Sequence, residues 1–192
     1  MKHRFCAAAL AAVLLLSAAP LSPAASAAFS DAEGTWAAEV IEKAEGYGLM
    51  NGYPDGTFRP TGTLSGNAFM KMLLGALGYD SSIEGYTGGN WSVSVIKQAA
   101  GIGLDDGNDE FVGSKAVTRQ EAALYAFNML QATMVEYDKK DTIVVGGVEI
   151  TSTSTRKEVV NNDKNETIND DDKMQFAERY FDDLKLSDGT DD

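Results

Sequence analysis

Histidine and cysteine, the side chains that most often carry nucleophilic, acid–base and zinc chemistry, occur once each in this 192-residue chain, as His3 and Cys6. Beyond them no Ser-His-Asp triad, Cys-His pair or usual zinc site can be assembled. Carboxylates are plentiful, 29 Asp and Glu against 16 Lys and Arg. They could supply the acid pair of a glycoside hydrolase, but no motif points to one. The acidic loop Asp105-Asp106-Gly107-Asn108-Asp109-Glu110 offers oxygens to calcium. Its spacing departs from the D-x-[DN]-x-[DN]-G pattern with a distal Glu, so it reads as a polar surface turn. The expectation is a chain that is not an enzyme and has no cofactor and no metal. What remains is binding chemistry: Arg119 opening a helix, Trp36 and Trp91, and the turn NGYPDGTFRP at residues 51–60.

These residues need elements to position them, and the first segment is not among those elements. Lys2, His3 and Arg4 precede an apolar run ending near Leu21, and Ala25-Ser26-Ala27 offers small residues for cleavage. Residues 1–27 therefore read as a secretory signal peptide. No later segment is apolar over the ~20 residues that a membrane helix requires. Cys6 lies before the apolar run, so it is not a lipid-attachment cysteine, and the exported chain would fold without disulfides, a habit of bacterial envelope proteins. A net charge of −13 makes nucleic acid and anionic lipid poor partners and serves solubility.

The positioning elements appear as an internal repeat. Residues 36–52, WAAEVIEKAEGYGLMNG, match residues 91–107, WSVSVIKQAAGIGLDDG, without gaps at both Trp, at Val-Ile, at Ala44 and Ala99, and at the Gly-Leu and final Gly positions. The apolar spacing predicts a helix in each copy with Trp, Val, Ile and Ala facing a core, closed by Gly48 or Gly103 as a left-handed cap. A second helix follows. Thr118-Arg119-Gln120-Glu121 is a capping box, leading into the stripe Ala122, Ala123, Ala126, Phe127 and Leu130. In the first copy the second helix starts at Ser65, with Phe69, Met72, Leu73 and Ala76 as its stripe and Ala68 where a box would have a carboxylate. One helix–loop–helix unit cannot bury its apolar face alone, so the two must pack together or on a further copy.

The pattern from Phe29-Ser30-Asp31 through Trp36, Gly48-Leu49 and the PDGTF turn, with a Thr-Arg-x-Glu helix start, resembles the S-layer homology (SLH) domain of bacterial surface proteins. The first copy would run over residues 28–80 and the second over 81–134. The resemblance implies a mainly α fold. It also implies a non-enzymatic anchor that holds an exported protein on the cell surface by binding a secondary cell wall polymer or a peptidoglycan-linked glycan. Such domains usually come in threes around a pseudo-threefold axis, with ligand grooves between neighbours. Carried over residue by residue, the glycan-binding positions are Asp31, Trp36 or Trp91, Gly52 or Gly107, and Arg119. The intact first turn, with Tyr53, is the expected ligand-facing surface and Arg119 its expected partner. A pyruvylated sugar presents a carboxylate and hydroxyls, which call for a cation, exposed backbone N–H groups and an aromatic face.

The departures are specific. The first copy reads Ser65-Gly66-Asn67-Ala68 and lacks the arginine and the glutamate. The second reads GNDEFVGSKAV, keeping only Phe111 in register with Phe58, and has no early aspartate. No third copy is present, so further SLH repeats from another chain are a possible partner. The residues themselves leave other roles open: Trp36 and Trp91 as core, Glu121 as cap, Asp31 as a cap of the first helix or its turn.

After Met134 the composition changes. Two β-branched runs flank Gly146-Gly147 within residues 141–155 and predict a small hairpin. An acidic stretch follows and reads as loop or disorder. Residues 173–186 predict an amphipathic helix with Met174, Ala177, Phe181 and Leu184 on one face. Residues 135–192 would form a tail that docks on the repeats or begins a further, truncated domain.

Overall fold

The computed structural model describes residues 29–138, 142–145, 148–151, 154–162, 168–181 and 183–184; the signal-peptide expectation and the Gly146-Gly147 turn fall outside them. The element order is α1 (Ala38–Gly46), α2 (Gly66–Ala76), α3 (Trp91–Gly101), α4 (Arg119–Gln131), β1 (Val135–Tyr137), β2 (Thr142–Val145), β3 (Val148–Thr151), β4 (Arg156–Glu158) and α5 (Phe176–Tyr180). The fold is mainly α, with two helix–loop–helix units, a β2–β3 antiparallel hairpin in which Val145 pairs with Val148, and a short C-terminal helix.

Helix ends follow the local chemistry. The Thr118 side chain accepts from Glu121 N–H at 3.2 Å while Glu121 Oε2 accepts from Thr118 N–H at 2.7 Å, a reciprocal capping box. Ser65 caps α2 with a single hydrogen bond from Ala68 N–H at 3.3 Å. Gly48 and Gly103 both adopt left-handed backbone, φ 69° and 73°, after which Leu49 N–H donates to Ala44 O and Leu104 N–H to Ala99 O, closing each helix.

The main core lies between the units. α2 packs on α3 and α4 through Met70, Leu73, Leu74 and Leu77, against Val95 and Ala99 of α3, Tyr125 and Met129 of α4, and Tyr79, Tyr86 and Leu104. The chain also pairs across the units: Ser65 bridges Ala116, Gly66 N–H donates to Lys115 O at 2.8 Å, and Asn67 N–H donates to Gly113 O at 2.7 Å. α1 takes part in none of this. Its Ile41 joins Phe29 and Ala32 in a separate small cluster, flanked by Ala37 and Phe58.

Three stripes differ from their sequence reading. Trp36 stands before the first turn of α1 and is 94% exposed, and Val40 is 62% exposed. Val40 and Ile41 are adjacent and so point about 100° apart on a helix; Ile41 takes the inward position, and among the described residues none covers Val40. In α4 the core-facing residues are Tyr125 and Met129, with Ala123 exposed and Phe127 turned largely outward. The C-terminal helix is only five residues long, and Phe181 lies exposed beyond it while Met174 and Ala177 are buried.

The tail adds pairing that the composition concealed. β1 and β4 form an antiparallel ladder, Glu136 opposite Lys157, and Val135 N–H donates to Leu77 O at 2.8 Å, joining the strand to the end of α2. Gly78 permits this approach, since a Cβ there would collide with the Val135 carbonyl. α5 packs on α4. Its buried Glu178 accepts hydrogen bonds from Asn161 Nδ2 at 3.0 Å and Ile168 N–H at 3.0 Å, so part of the acidic stretch is ordered around one carboxylate.

Candidate functional site

The turn at residues 51–60 is built around Asp31. Its two carboxylate oxygens accept the backbone N–H groups of Phe58, at 2.8 Å, and Arg59, at 2.7 Å. Those bonds lower its pKa, the Phe58 bond most. Asp31 thus caps no helix; it clamps the far side of the turn to the segment before α1. Arg59 needs such a clamp because its φ of 61° is left-handed, a region that a non-glycine residue seldom occupies.

Inside the turn, Tyr53 N–H donates to Thr57 O at 2.7 Å and Gly56 N–H to Tyr53 O at 2.9 Å. Asp55 accepts from the Thr57 hydroxyl and amide and from Arg59 Nη2 at 2.7 Å. The Thr57 hydroxyl and then the Arg59 guanidinium are the leading causes that draw its pKa from 3.8 to about 2. The Arg59 guanidinium also lies over the Tyr53 ring, 4.0 Å from its centre. The result is an exposed surface of one aromatic face, one cation and one carboxylate held in fixed relation.

Beneath it, Phe29 packs against Phe58 with ring centres 5.3 Å apart. Gly52 closes this packing, since a Cβ at that position would overlap the Phe29 ring. Its lack of a side chain therefore serves the turn's foundation. Tyr53 lies outward with Arg59, and Phe58 pins the loop.

The second-unit candidates lie apart from these. Trp91 is half-buried against the main core, with Lys71 Nζ 5.6 Å from the ring centre. Gly107 has φ 87° and sits against Leu124. Asn128 Nδ2 holds that loop by donating to Leu104 O at 3.1 Å and Asp106 O at 2.9 Å. Arg119 is the exposed first residue of α4, and no hydrogen bond or ion pair joins it to the first turn among the described residues. Asp31, Gly52 and Tyr53 are thus brought together, with Trp36 nearby in sequence and bare, whereas Trp91, Gly107 and Arg119 are not part of that surface.

Sequence reasoning passed over Arg59 and Asp55. The signal for Arg59 was available: it is the one basic residue in NGYPDGTFRP.

Comparison with known proteins places these features. Residues 28–67, which hold Asp31, Trp36, the whole turn and the start of α2, match the S-layer homology domain. The chain is 25% identical over 159 residues to the "Middle cell wall protein" of Brevibacillus brevis, spanning 14% of that protein. It is 41% identical over 49 residues to "Cell surface glycoprotein 1" of Acetivibrio thermocellus, 2% of that protein. It is 27% identical over 114 residues to "Exoglucanase XynX" of Acetivibrio thermocellus, 10% of that protein. The chain thus spans a small fraction of each relative's length, and no solved structure matches it. No described helix is long and apolar enough to cross a membrane. The Asp31-clamped turn thus lies inside the segment that is similar to the S-layer homology domain, and two of the three relatives are named as a cell wall protein and a cell surface protein.

Proposed function

We propose that the chain is a non-catalytic anchor that holds an exported protein on the cell envelope by binding a secondary cell wall polymer or a similar wall glycan. The observation that supports this reading is the exposed Tyr53–Arg59–Asp55 surface. An arginine and a tyrosine held outward by a clamped turn form no part of either core, and they supply the cation and ring face that an anionic sugar requires. Exposed Trp36 and the exposed cation Arg119 are the further groups we assign to the ligand, with Gly52 maintaining the turn that carries Tyr53 and Arg59.

A pull-down with purified wall sacculi tests this. Binding is expected to sacculi that carry their secondary polymer, to fall when the polymer is extracted, and to weaken in Arg59→Ala and Arg119→Ala. Retention on stripped sacculi, or full binding by both variants, overturns the reading. A second reading, in which the domain serves as a protein-interaction module, is favoured by one observation: within a single chain Arg119 does not reach the intact turn.

A further inference from the structure

Packing dictates the residue at position 52, and that choice leaves its neighbour open to chemistry. A Cβ at Gly52 would overlap the Phe29 ring, so the foundation of the first-unit turn admits only glycine there. The residue before it is Asn51, and Asn51-Gly52 is the one Asn-Gly pair in the sequence. Asparagine is a chemically labile side chain. A glycine after it removes the steric barrier that otherwise keeps the next amide nitrogen away from the side-chain carbonyl.

The fold leaves this pair unguarded. Asn51 is exposed and lies in neither helix nor strand, and its side chain makes no hydrogen bond among the described residues. Backbone bonding steps over the amide that matters. Met50 N–H donates to Ala44 O at 3.4 Å and Tyr53 N–H to Thr57 O at 2.7 Å, whereas among the described residues Gly52 N–H has no acceptor. Other asparagines of the two units are held. Asn67 lies in the first turn of α2, and the amide after it, Ala68 N–H, donates to Ser65 Oγ at 3.3 Å. Asn128 lies within α4 and donates to two carbonyls. Asn108 is tied at both ends of its side chain, donating to the Tyr125 hydroxyl at 2.6 Å and accepting from Glu110 N–H at 3.1 Å. The nearby Asp55-Gly56 pair is closed as well, since Thr57 and Arg59 engage the carboxylate and Gly56 N–H donates to Tyr53 O at 2.9 Å.

We infer that Asn51-Gly52 is a site of spontaneous covalent modification, through which the turn carries a timed loss of its own shape. The Gly52 amide nitrogen attacks the side-chain carbonyl carbon of Asn51. The new C–N bond closes a cyclic imide, and the side-chain nitrogen leaves as ammonia, taking the proton that Gly52 gives up. Water then opens the imide. Addition at the side-chain carbonyl gives aspartate; addition at the backbone carbonyl gives isoaspartate, whose main chain runs through the former side chain and is longer by a methylene. Either product adds a carboxylate just ahead of Tyr53. The longer backbone of isoaspartate also moves Gly52 from its seat on Phe29, a fit with no room even for a Cβ. Phe58 packs on the same ring, so its tether to Asp31 loosens with it.

Ageing the purified full chain at mildly alkaline pH, with no glycan present, tests this independently of any wall binding. Tryptic peptide 44–71 contains both Asn51 and Asn67, because Pro60 blocks cleavage after Arg59. The expected result is the amide-to-acid mass gain at Asn51, at a rate comparable to that of a synthetic peptide of residues 44–71, with Asn67 unchanged in the intact chain. Electron-transfer fragmentation should identify isoaspartate in the product. Hydrogen exchange of the aged chain should then show Phe58 and Arg59 amides unprotected in the isoaspartate fraction. Asn51→Gln, a change at an exposed position, should keep them protected after the same treatment. Conversion in the intact chain slower than in the peptide by an order of magnitude or more overturns the proposal, because the fold then guards the pair. Isoaspartate formed with the turn amides still protected, or an Asn51→Gln chain that loses protection as the parent does, overturns it too.

Discussion

Asp31 determines whether the first-unit turn keeps its shape. Without its carboxylate, Arg59 loses the hydrogen bond that holds a left-handed backbone, and Phe58 loses its tether over Phe29. Asp31→Ala should therefore raise the hydrogen-exchange rates of the Phe58 and Arg59 amides while leaving those of α3 and α4 unchanged. The same turn has an acid limit. Asp31 and Asp55 both have pKa values lowered in the fold, Asp55 from 3.8 to about 2. A lowered carboxylate pKa stabilises the folded turn above the unfolded value, and that contribution is lost as pH falls through the folded one. Protection factors of the turn amides should accordingly stay high at neutral pH and fall between pH 3.8 and about 2, and should fall less in Asp55→Asn, where Asp31 alone is left to titrate. Gly52 gives the third test at this scale. A Cβ there meets the Phe29 ring, and overpacking of this kind costs about 1–3 kcal/mol, so Gly52→Ala should lower the urea midpoint. The sequence marked Asp31 and Gly52 as special but did not show the structural work they do, because the amides that Asp31 holds lie 27 and 28 residues away. No local pattern encodes such a partner.

Elements were more legible, since caps and glycine stops are local. The Thr118 box, the Ser65 start and the glycine closures all follow from nearest-neighbour chemistry. The two caps also differ in a measurable way. Thr118 takes part in a reciprocal pair and Ser65 in one long bond. Thr118→Ala should cost about 1 kcal/mol and Ser65→Ala less, compared by denaturant midpoints at equal slope. The faces of helices were less legible than their ends. Periodicity gave α1 an apolar stripe but could not say whether a neighbour exists to cover it, and it placed the inward side of α4 at Ala123 and Phe127 where Tyr125 and Met129 take it. Tyr125 wins that position because its ring packs edge-on to Phe111, centres 5.5 Å apart, while its hydroxyl accepts from Asn108 Nδ2 at 2.6 Å. A buried tyrosine with a satisfied hydroxyl is as good a core residue as phenylalanine.

At the scale of the whole molecule, the tail is joined to the helical units by a polar network that no linear reading could assemble. Arg156 of β4 donates through Nη1 to Glu84 Oε2 at 2.9 Å and to Gln98 Oε1 at 3.0 Å, and its guanidinium lies 5.2 Å from the centre of the Tyr79 ring. Tyr137 of β1 donates to Glu84 Oε1 at 2.6 Å and accepts from Asp80 N–H at 3.2 Å. Glu84 is thus held by both strands of the ladder, and it lies in the connection between the two units. Tyr79, Asp80, Glu84, Gln98, Tyr137 and Arg156 converge on one spot, so the tail reports on the relative placement of the units as well as on its own pairing. Arg156→Ala should leave the β1–β4 ladder with Val135 as its main attachment to α2. Limited proteolysis should then cut the tail earlier than in the parent, while the helices resist. Arg156→Lys should not restore protection, because an ammonium cannot reach Glu84 and Gln98 and lie flat on Tyr79 together. Equal cleavage of parent and both variants would instead assign the docking to Val135 and the Gly78 approach alone, and Gly78→Ala would then be the change that releases the tail.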